Sequence, residues 1–359
     1  MGLTKAGGIR ALATANTQFA VDMYKQLKSQ DGNLILSPYS ISSALAMTSA
    51  GAKNETLNQT LAVFHFEQLG ADLHPAFNGT QGILNTPSQV SEWADMNYSK
   101  KIQKPSYELF VANRLWGQKG YSFEKSFLDI CGSQYGAGLA EADFINSPEA
   151  ARLDINQWVE QKTQNRIKDI LQPGIVQPDW RLVLVNAIYL KSQWAIQFDS
   201  EATQPEEFYL TKDKAIRVSM MRQTDSFSYY ESSTLQAINM PYKADDLSMI
   251  VLLPKEREGL AAFEKMLTFE LLKEVNNALL TQALIRIELS FPKFQIESSF
   301  SLKNKLKAMG MKDAFQYGPA DYSGINGNRE LFIGDVIHKG FIEVDEKGTE
   351  AAAATAALS

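Results

Sequence analysis

Residues 346–359 read EKGTEAAAATAALS and contain one large apolar side chain, Leu358. Alanine favours helix and Thr349 could cap one, so a C-terminal helix is one interpretation. Such a helix would have no apolar face with which to dock. Read with the two-residue period of a strand, one face carries only small side chains. A strand that enters between two existing strands needs such a face, so we predict that Thr349–Leu358 forms a central strand, antiparallel to its neighbours.

The composition is that of a folded globular protein of 359 residues. Hydrophobic residues make up 45% and charged residues 21%, which excludes a disordered or fibrous chain. The net charge of −6 gives no electrostatic reason to expect nucleic acid or an anionic membrane as a partner. No apolar run reaches the ~18 residues of a membrane span.

The motifs of common enzyme and cofactor sites are absent from the sequence. It has no Walker loop, Gly-x-Ser-x-Gly elbow, His-Glu-x-x-His pair or Gly-rich dinucleotide turn. The single cysteine, Cys131, excludes an internal disulfide, and His65 and His74 have no standard metal-ligand spacing. A hydrolase that uses Cys131 or a serine is a remote alternative, because a lone cysteine is more often a buried apolar side chain. We therefore predict no catalytic residue, no metal and no cofactor.

Helical patterns come early in the chain and strand patterns come late. One helix is predicted before Gly32. A second begins at Ser37-Pro38, with Ser37 as its N-cap and Pro38 as its first residue, and Ser147-Pro148 opens a third. A short strand is predicted at 33–36 and another near 109–115. Residues 71–105 are polar and irregular, with one or two short helices at most. After Arg181 strands dominate, beginning with an almost continuously apolar run. This order favours an α+β fold.

Several further motifs follow one another along the chain. They are NLILSPYSI (33–41) with ALAM (44–47), NQWV (156–159), LVNAIY (184–189), MPY (240–242), FPKF (291–294), DYSGI (321–325) and HKG (338–340). Together with residues 346–355, they resemble the serpin family of serine protease inhibitors. The resemblance extends over most of the chain, and residues 346–355 resemble the proximal hinge of the serpin reactive-centre loop.

This resemblance implies a single serpin domain over residues 1–359. The fold class is α+β, with a central mixed β-sheet A, further sheets B and C, and about eight to nine helices. Residues 346–359 would be the proximal hinge and part of the reactive-centre loop. The implied function is a suicide-substrate inhibitor of serine endopeptidases, with cysteine endopeptidases as a further possible target. The protease attacks the loop and forms an acyl-enzyme, which is trapped when the cleaved loop inserts into sheet A.

The alternative is a non-inhibitory serpin that acts as a chaperone, carrier or storage protein. Such proteins keep the fold and lose insertion, usually through bulky or charged hinge residues. The small residues on one face of the segment that begins at Thr349 favour the inhibitor.

Site residues follow from the matching motifs. The hinge comprises Glu346, Gly348, Thr349, Glu350, Ala351, Ala352, Ala353, Ala354 and Thr355. The shutter, where the sheet parts, comprises Ser37, Ser40, Asn186 and His338, and the breach, where insertion begins, comprises Trp194, Lys293 and Glu346. His338 could also be a hydrogen-bonded core histidine and Trp194 simple packing. We expect a hydrogen bond from His338 to Asn186 or Ser37, and an ion pair between Glu346 and Lys293 near Trp194.

The sequence departs from the family pattern in two places. Ser192 stands at a turn where the family usually has glycine. By the family's spacing, the scissile bond would lie roughly three residues past Ser359, and C-terminal strands of sheets B and C would follow. We therefore expect the large fragment of a loop-cleaved serpin that holds its own C-terminal fragment. The expected partner is a serine protease, the expected state a monomer, and the expected location extracellular, with cytoplasmic as the alternative.

Overall fold

A computed structural model describes residues 3–93, 101–136, 138–211 and 213–349. The chain groups into two compact units. The first contains the described residues of 1–85, 110–189 and 297–341, and the second those of 86–109, 190–296 and 342–359. The single serpin domain over 1–359 stays a prediction.

Ten α-helices lie within the described residues. They are α1 (Lys5–Leu27), α2 (Pro38–Ser49), α3 (Asn54–Val63), α4 (Leu73–Leu84), α5 (Lys125–Tyr135), α6 (Pro148–Lys162), α7 (Leu260–Met266), α8 (Phe269–Thr281), α9 (Lys303–Met309) and α10 (Ser323–Asn326). Ser37 caps α2 as predicted, because its side chain accepts a hydrogen bond from the N–H of Ser40. The count exceeds the expected eight to nine, since a one-turn helix such as α10 is too short to show a helical period.

Thirteen strands lie within the same ranges. They are β1 (Gln89–Trp93), β2 (Lys101–Pro105), β3 (Tyr107–Gln118), β4 (Ala140–Ala142), β5 (Leu182–Gln193), β6 (Gln204–Thr211), β7 (Lys214–Glu231), β8 (Leu235–Pro241), β9 (Ser248–Pro254), β10 (Ile285–Pro292), β11 (Phe294–Ser301), β12 (Ile333–Val344) and β13 (Gly348–Thr349). They form three sheets, and the mixed α+β class is confirmed.

The first unit is built around β5, which is buried on both faces as its apolar run predicts. Leu182 and Leu184 point into a core shared with α1 and α2. Val183 and Val185 point the other way, into a second core shared with α6. β12 pairs with β5 in parallel, from Ile333 opposite Leu182 to Gly340 opposite Ile188, and β3 pairs with β4 in parallel. The apolar cores on both faces explain why β5 lacks an alternating pattern.

The second unit is built around β7, which pairs antiparallel with β6, β8 and β10. β7 is a single long strand of 18 residues. β8 pairs in turn with β9. The core of this sheet includes Trp194, Tyr242 and Val344, which places the start of β13 beside large buried side chains.

Two local predictions are wrong. Within the described residues, 33–36 forms no strand, and the N–H of Ile35 donates instead to Ser298 Oγ at 3.1 Å. Residues 71–105, expected to be irregular apart from one or two short helices, contain the helix α4 and also a hairpin of β1 and β2, which the sequence did not predict. The hairpin strands are five residues each and mostly exposed, so they carry no apolar alternation that a sequence pattern could reveal.

A close approach of two backbones predicts an intolerant position in the first unit. A Cβ at Gly51 would lie 2.2 Å from a side-chain carbon of Ile325 and 2.9 Å from its backbone nitrogen. Gly51→Ala should therefore lower the free energy of unfolding by about 1–3 kcal/mol, because backbone must move. Gly82→Ala in α4 is the control, since a Cβ there meets nothing within 4 Å. The control should be neutral or stabilising by about 0.5–1 kcal/mol in urea unfolding, and equal effects of the two changes would contradict the packing argument.

Candidate functional site

Two clusters contain the predicted site residues, one in each unit. The first lies where β5 and β12 pair in parallel, with His338 directly opposite Asn186. Both side chains are fully buried. His338 Nδ1 and Asn186 Oδ1 are hydrogen-bonded across the two strands. The expected hydrogen bond of His338 is therefore confirmed.

The tautomer of His338 follows from its second contact. The backbone N–H of Ser37 donates to His338 Nε2 at 3.0 Å, so Nε2 is the acceptor. Nδ1 then holds the proton and donates to Asn186. Burial lowers the pKa of His338 to about 3, so the ring is neutral at physiological pH.

Asn186 extends this network to α2 and β3. Its Nδ2 donates to Ser40 Oγ at 2.6 Å and to Asn113 Oδ1. Ser40 Oγ in turn donates to Asn113 Oδ1 at 3.0 Å. All four residues predicted for the shutter thus share one hydrogen-bonded cluster. Asn113 is a fifth member that sequence reasoning missed, and the polar residue in the strand pattern near 109–115 was its one available signal.

The second cluster lies where β12 turns into β13. Asp345 holds the turn, because its Oδ1 accepts from the N–H of Lys347 at 2.8 Å and from that of Gly348 at 3.1 Å. Thr349 then lies opposite Val344 of β12 on one side and Ser192 of β5 on the other. Thr349, the first residue of the predicted central strand, is thus paired antiparallel to both neighbours, and Gly348 before it pairs with Gln193 of β5. Residues 350–358 of that strand, and the hinge residues Glu350 to Thr355, lie outside the described residues.

The fit around Gly348 and Thr349 is tight. A Cβ at Gly348 would lie 2.1 Å from the carbonyl oxygen of Ser192, so only glycine allows this pairing. Thr349 is 1% exposed, and its hydroxyl is hydrogen-bonded to that of Tyr242. Burial raises the pKa of Tyr242 to about 12, so the phenol stays protonated. Ser192 lies inside β5 rather than at the turn that the sequence analysis expected.

The predicted breach residues surround this turn. Trp194 is 1% exposed, stacks on Tyr242 with ring centres 4.5 Å apart, and donates its indole N–H to the carbonyl of Asp345 at 3.0 Å. Tyr242 lies in the quoted motif of 240–242, yet the sequence did not single it out, because its partners come from distant segments.

Glu346 accepts from two side chains. Lys293 Nζ lies 3.0 Å from its Oε2, and the Thr203 hydroxyl donates to Oε1 at 2.8 Å. Burial raises the pKa of Glu346, but hydrogen bonds from its own backbone, Lys293 and Thr203 outweigh this and lower it overall. The carboxylate therefore stays charged, and the expected ion pair is confirmed.

The enzymatic alternative receives no support from Cys131. Its side chain is buried in α5, and burial raises its pKa to about 12, so the thiolate nucleophile is not available at neutral pH. His65 pairs with Asp22, and His74 with the Tyr135 hydroxyl. Within the described residues, no group of three His, Cys, Asp or Glu side chains could hold a metal ion.

The fold agrees with the comparisons to known proteins. The model of the family described as "Serpin (serine protease inhibitor)" matches residues 14–359. This chain belongs to the serpin family.

Similar curated proteins include human serpin B3, which is 40% identical over 98% of this chain and 90% of its own length. Leukocyte elastase inhibitor of Equus caballus is 40% identical over 96% of this chain and 88% of its own length. Among solved structures, ovalbumin of the emu, Dromaius novaehollandiae, matches with a TM-score of 0.85 and 30% identity. That match covers 94% of this chain and 87% of the ovalbumin chain.

The buried His338 predicts a pH dependence of stability. Its folded pKa of about 3 lies below the unfolded value of 6.5, so the unfolded chain takes up the proton first as the pH falls. Between pH 6.5 and 4.5 this residue should remove about 2–3 kcal/mol of unfolding free energy. Urea unfolding at both pH values should show a smaller loss of unfolding free energy in His338→Gln than in the wild type. His74→Gln should alter the pH dependence of the unfolding free energy less. An identical pH dependence in the wild type and in His338→Gln would contradict this account.

The contact at Gly348 predicts that Gly348→Ala expels the start of β13 from the sheet. The methyl group would overlap the Ser192 carbonyl, and the loss of pairing should cost about 1–3 kcal/mol of unfolding free energy. Amide hydrogen exchange of residues 344–349 should accelerate. Lys347→Ala, at the exposed neighbouring position, is the control. Unchanged exchange in Gly348→Ala would show that this pairing does not form in solution.

Proposed function

We propose that this serpin inhibits a serine endopeptidase by trapping the acyl-enzyme when its reactive-centre loop inserts into the sheet between β12 and β5. The observation that carries the proposal is the position of Thr349, buried and paired with both of these strands. In this proposal Gly348 and Thr349 are the first hinge residues, and insertion continues from them.

The registers of β5 support a path for insertion. β13 pairs with β5 at Ser192 and Gln193, whereas β12 pairs directly with β5 from Ile188 backwards. A strand that continued from Thr349 would have to separate the Gly340–Ile188 pair first and the later pairs in turn. It would also break the hydrogen bond between His338 and Asn186, so the first cluster would control how readily β12 and β5 part.

The exchange of pairings is energetically favourable. One parallel ladder between β12 and β5 would be replaced by two antiparallel ladders, and antiparallel pairing is slightly more stable per residue. Each net ladder hydrogen bond contributes about 1 kcal/mol, so an inserted strand of about ten residues gains on the order of 10 kcal/mol. This lies within the ~5–15 kcal/mol that stabilises a whole ordinary domain, which is enough for insertion to perform mechanical work.

The proposed partners are a target serine protease and the protein's own C-terminal fragment after cleavage. Apolar side chains on the second unit's sheet support the latter, because Ile250 and Leu253 of β9 and Ile285 of β10 are exposed. We propose that the protein is a monomer and that it binds proteases as an inhibitor, with no catalytic activity of its own.

The location of the protein stays a proposal. None of the helices within the described residues is long and apolar enough to cross a membrane. The comparisons lend no support to the predicted extracellular location, and the cytoplasmic alternative stands beside it.

Thr349→Arg tests insertion directly. A guanidinium at this buried position would enter the sheet without a charged partner, at a cost of several kcal/mol. Cleavage of the loop should continue, while insertion slows and the protease escapes by deacylation. The full-length wild type should form an SDS-stable complex with an elastase-like or other serine protease, and the variant should be cut and released.

The measurement is the number of inhibitor molecules consumed for each protease inactivated. This number should rise at least several-fold in Thr349→Arg and stay at the wild-type value in Thr234→Arg, which changes an exposed threonine between β7 and β8. A wild-type chain that is cut without forming a complex would instead favour a non-inhibitory serpin.

A further inference from the structure

The β1–β2 hairpin belongs to none of the motifs that carry the family resemblance. It lies in the second unit and pairs from Gln89 opposite Pro105 to Trp93 opposite Lys101. Its base is closed by the N–H of Ser106, which donates to the carbonyl of Ser88 at 2.8 Å. The contacts of this base connect the hairpin to the surroundings of Thr349.

Asp246 holds both ends of the hairpin. Its carboxylate accepts from the N–H and the hydroxyl of Ser88, each at 2.8 Å, and from the hydroxyl of Ser106. The hydrogen bond from Ser106, followed by those from Ser88, lowers the pKa of Asp246, so the carboxylate is charged at neutral pH. Charge-assisted bonds of this kind are stronger than bonds between neutral groups.

Asp246 belongs to a turn formed by residues 242–247, and a group of charged side chains also joins this turn to the strands of the hairpin. Lys243 Nζ lies 2.7 Å from Glu92 Oε1, and Lys104 of the opposite strand lies 3.3 Å from Glu92 Oε2. Glu92 is the most buried of the three, with 20% of its side chain exposed. The turn therefore holds β1 through the ion pair of Lys243 with Glu92, and it holds the base of the hairpin through Asp246.

The other end of this turn is Tyr242, the residue that contacts Thr349. The N–H of Tyr242 donates to Leu247 at 2.9 Å, and its carbonyl accepts from the N–H of Asp245 at 3.1 Å. These bonds close residues 242–247 into a short loop. A displacement of Lys243 or Asp246 would therefore displace Tyr242, together with its bond to Thr349 and its stacking on Trp194.

Ser192 links the hairpin to the other side of Thr349. Its hydroxyl donates to the carbonyl of Ser106 at 3.1 Å, and its backbone pairs with Thr349. This is the position at which the family usually has glycine, which has no hydroxyl to donate. This departure from the family pattern thus forms a direct contact between β5 and the base of the hairpin.

We propose that the β1–β2 hairpin is a brace for the start of insertion, with Asp246 as its positioning residue. The hairpin holds Tyr242 through Asp246 and holds β5 through Ser192. Both contacts keep Gly348 and Thr349 paired in the sheet before a protease arrives. The effect of the brace on inhibition rests on the proposed function, whereas its effect on Thr349 does not.

Asp246→Asn is the test variant, because it replaces one of the two accepting oxygens with an amide donor. Asp245→Asn is the matched control: it makes the same charge change at the adjacent exposed residue, which no hydrogen bond or ion pair joins to the described residues of the hairpin. Ser192→Ala tests the contact between β5 and the base of the hairpin with a smaller change, so the proposal remains testable even if Asp246→Asn folds poorly.

Hydrogen-exchange mass spectrometry of the free proteins measures the brace without any protease. Exchange of residues 342–349 should accelerate about tenfold in Asp246→Asn and measurably in Ser192→Ala, and should match the wild type in Asp245→Asn. Exchange that is unchanged in both test variants would overturn the proposal.

The stoichiometry of inhibition measures the consequence. More Asp246→Asn than wild-type molecules should be consumed for each protease inactivated, with an unchanged rate of loop cleavage. Faster exchange with unchanged stoichiometry would overturn the effect on inhibition. A wild type that forms no complex would overturn the proposed function alone, and the exchange comparison would still decide whether the hairpin acts as a brace.

Discussion

Strand β5 offers one edge to two partners, and the candidate site depends on how that edge is shared. From Leu182 to Ile188 the partner is β12 in parallel, whereas at Ser192 and Gln193 it is β13 in the antiparallel direction. A backbone edge can satisfy only one ladder at each residue. Any further growth of β13 along β5 must therefore displace β12, and the local chemistry of both clusters bears on that exchange.

The first cluster makes the separation of the parallel strands β5 and β12 costly. His338 and Asn186 are opposite residues of the two strands, and each is fully buried with its polar atoms in hydrogen bonds. Their separation leaves buried polar groups without partners unless another group replaces them, which costs about 1–3 kcal/mol for each group. The surrounding apolar cores supply most of the packing. This network adds a cost to the separation of β5 from β12, because the hydrogen bond between His338 and Asn186 must break.

The second cluster is governed by steric fit. Gly348 is required because the Ser192 carbonyl occupies the place of a side chain, and Thr349 fits because its hydroxyl finds that of Tyr242. Asp345 holds the turn through its carboxylate, and its carbonyl accepts the indole N–H of Trp194. The hairpin is joined to this cluster by Asp246, in the turn that begins at Tyr242, and by Ser192, which pairs with Thr349.

The sequence by itself determined the α+β class, the buried strand β5 and the small residues of the hinge, because apolar runs and residue size are local properties of the chain. Its motifs also identified most members of both clusters, and the exceptions are Asn113, Thr203, Tyr242 and Asp345. Tertiary structure decided the register that sets His338 opposite Asn186, the contacts of Tyr242 and the ties of Asp246. These depend on residues far apart in the chain, such as Ser88 and Asp246. No local pattern encodes such pairs, because their hydrogen bonds form only when the strands and turns that carry them have already been positioned by packing.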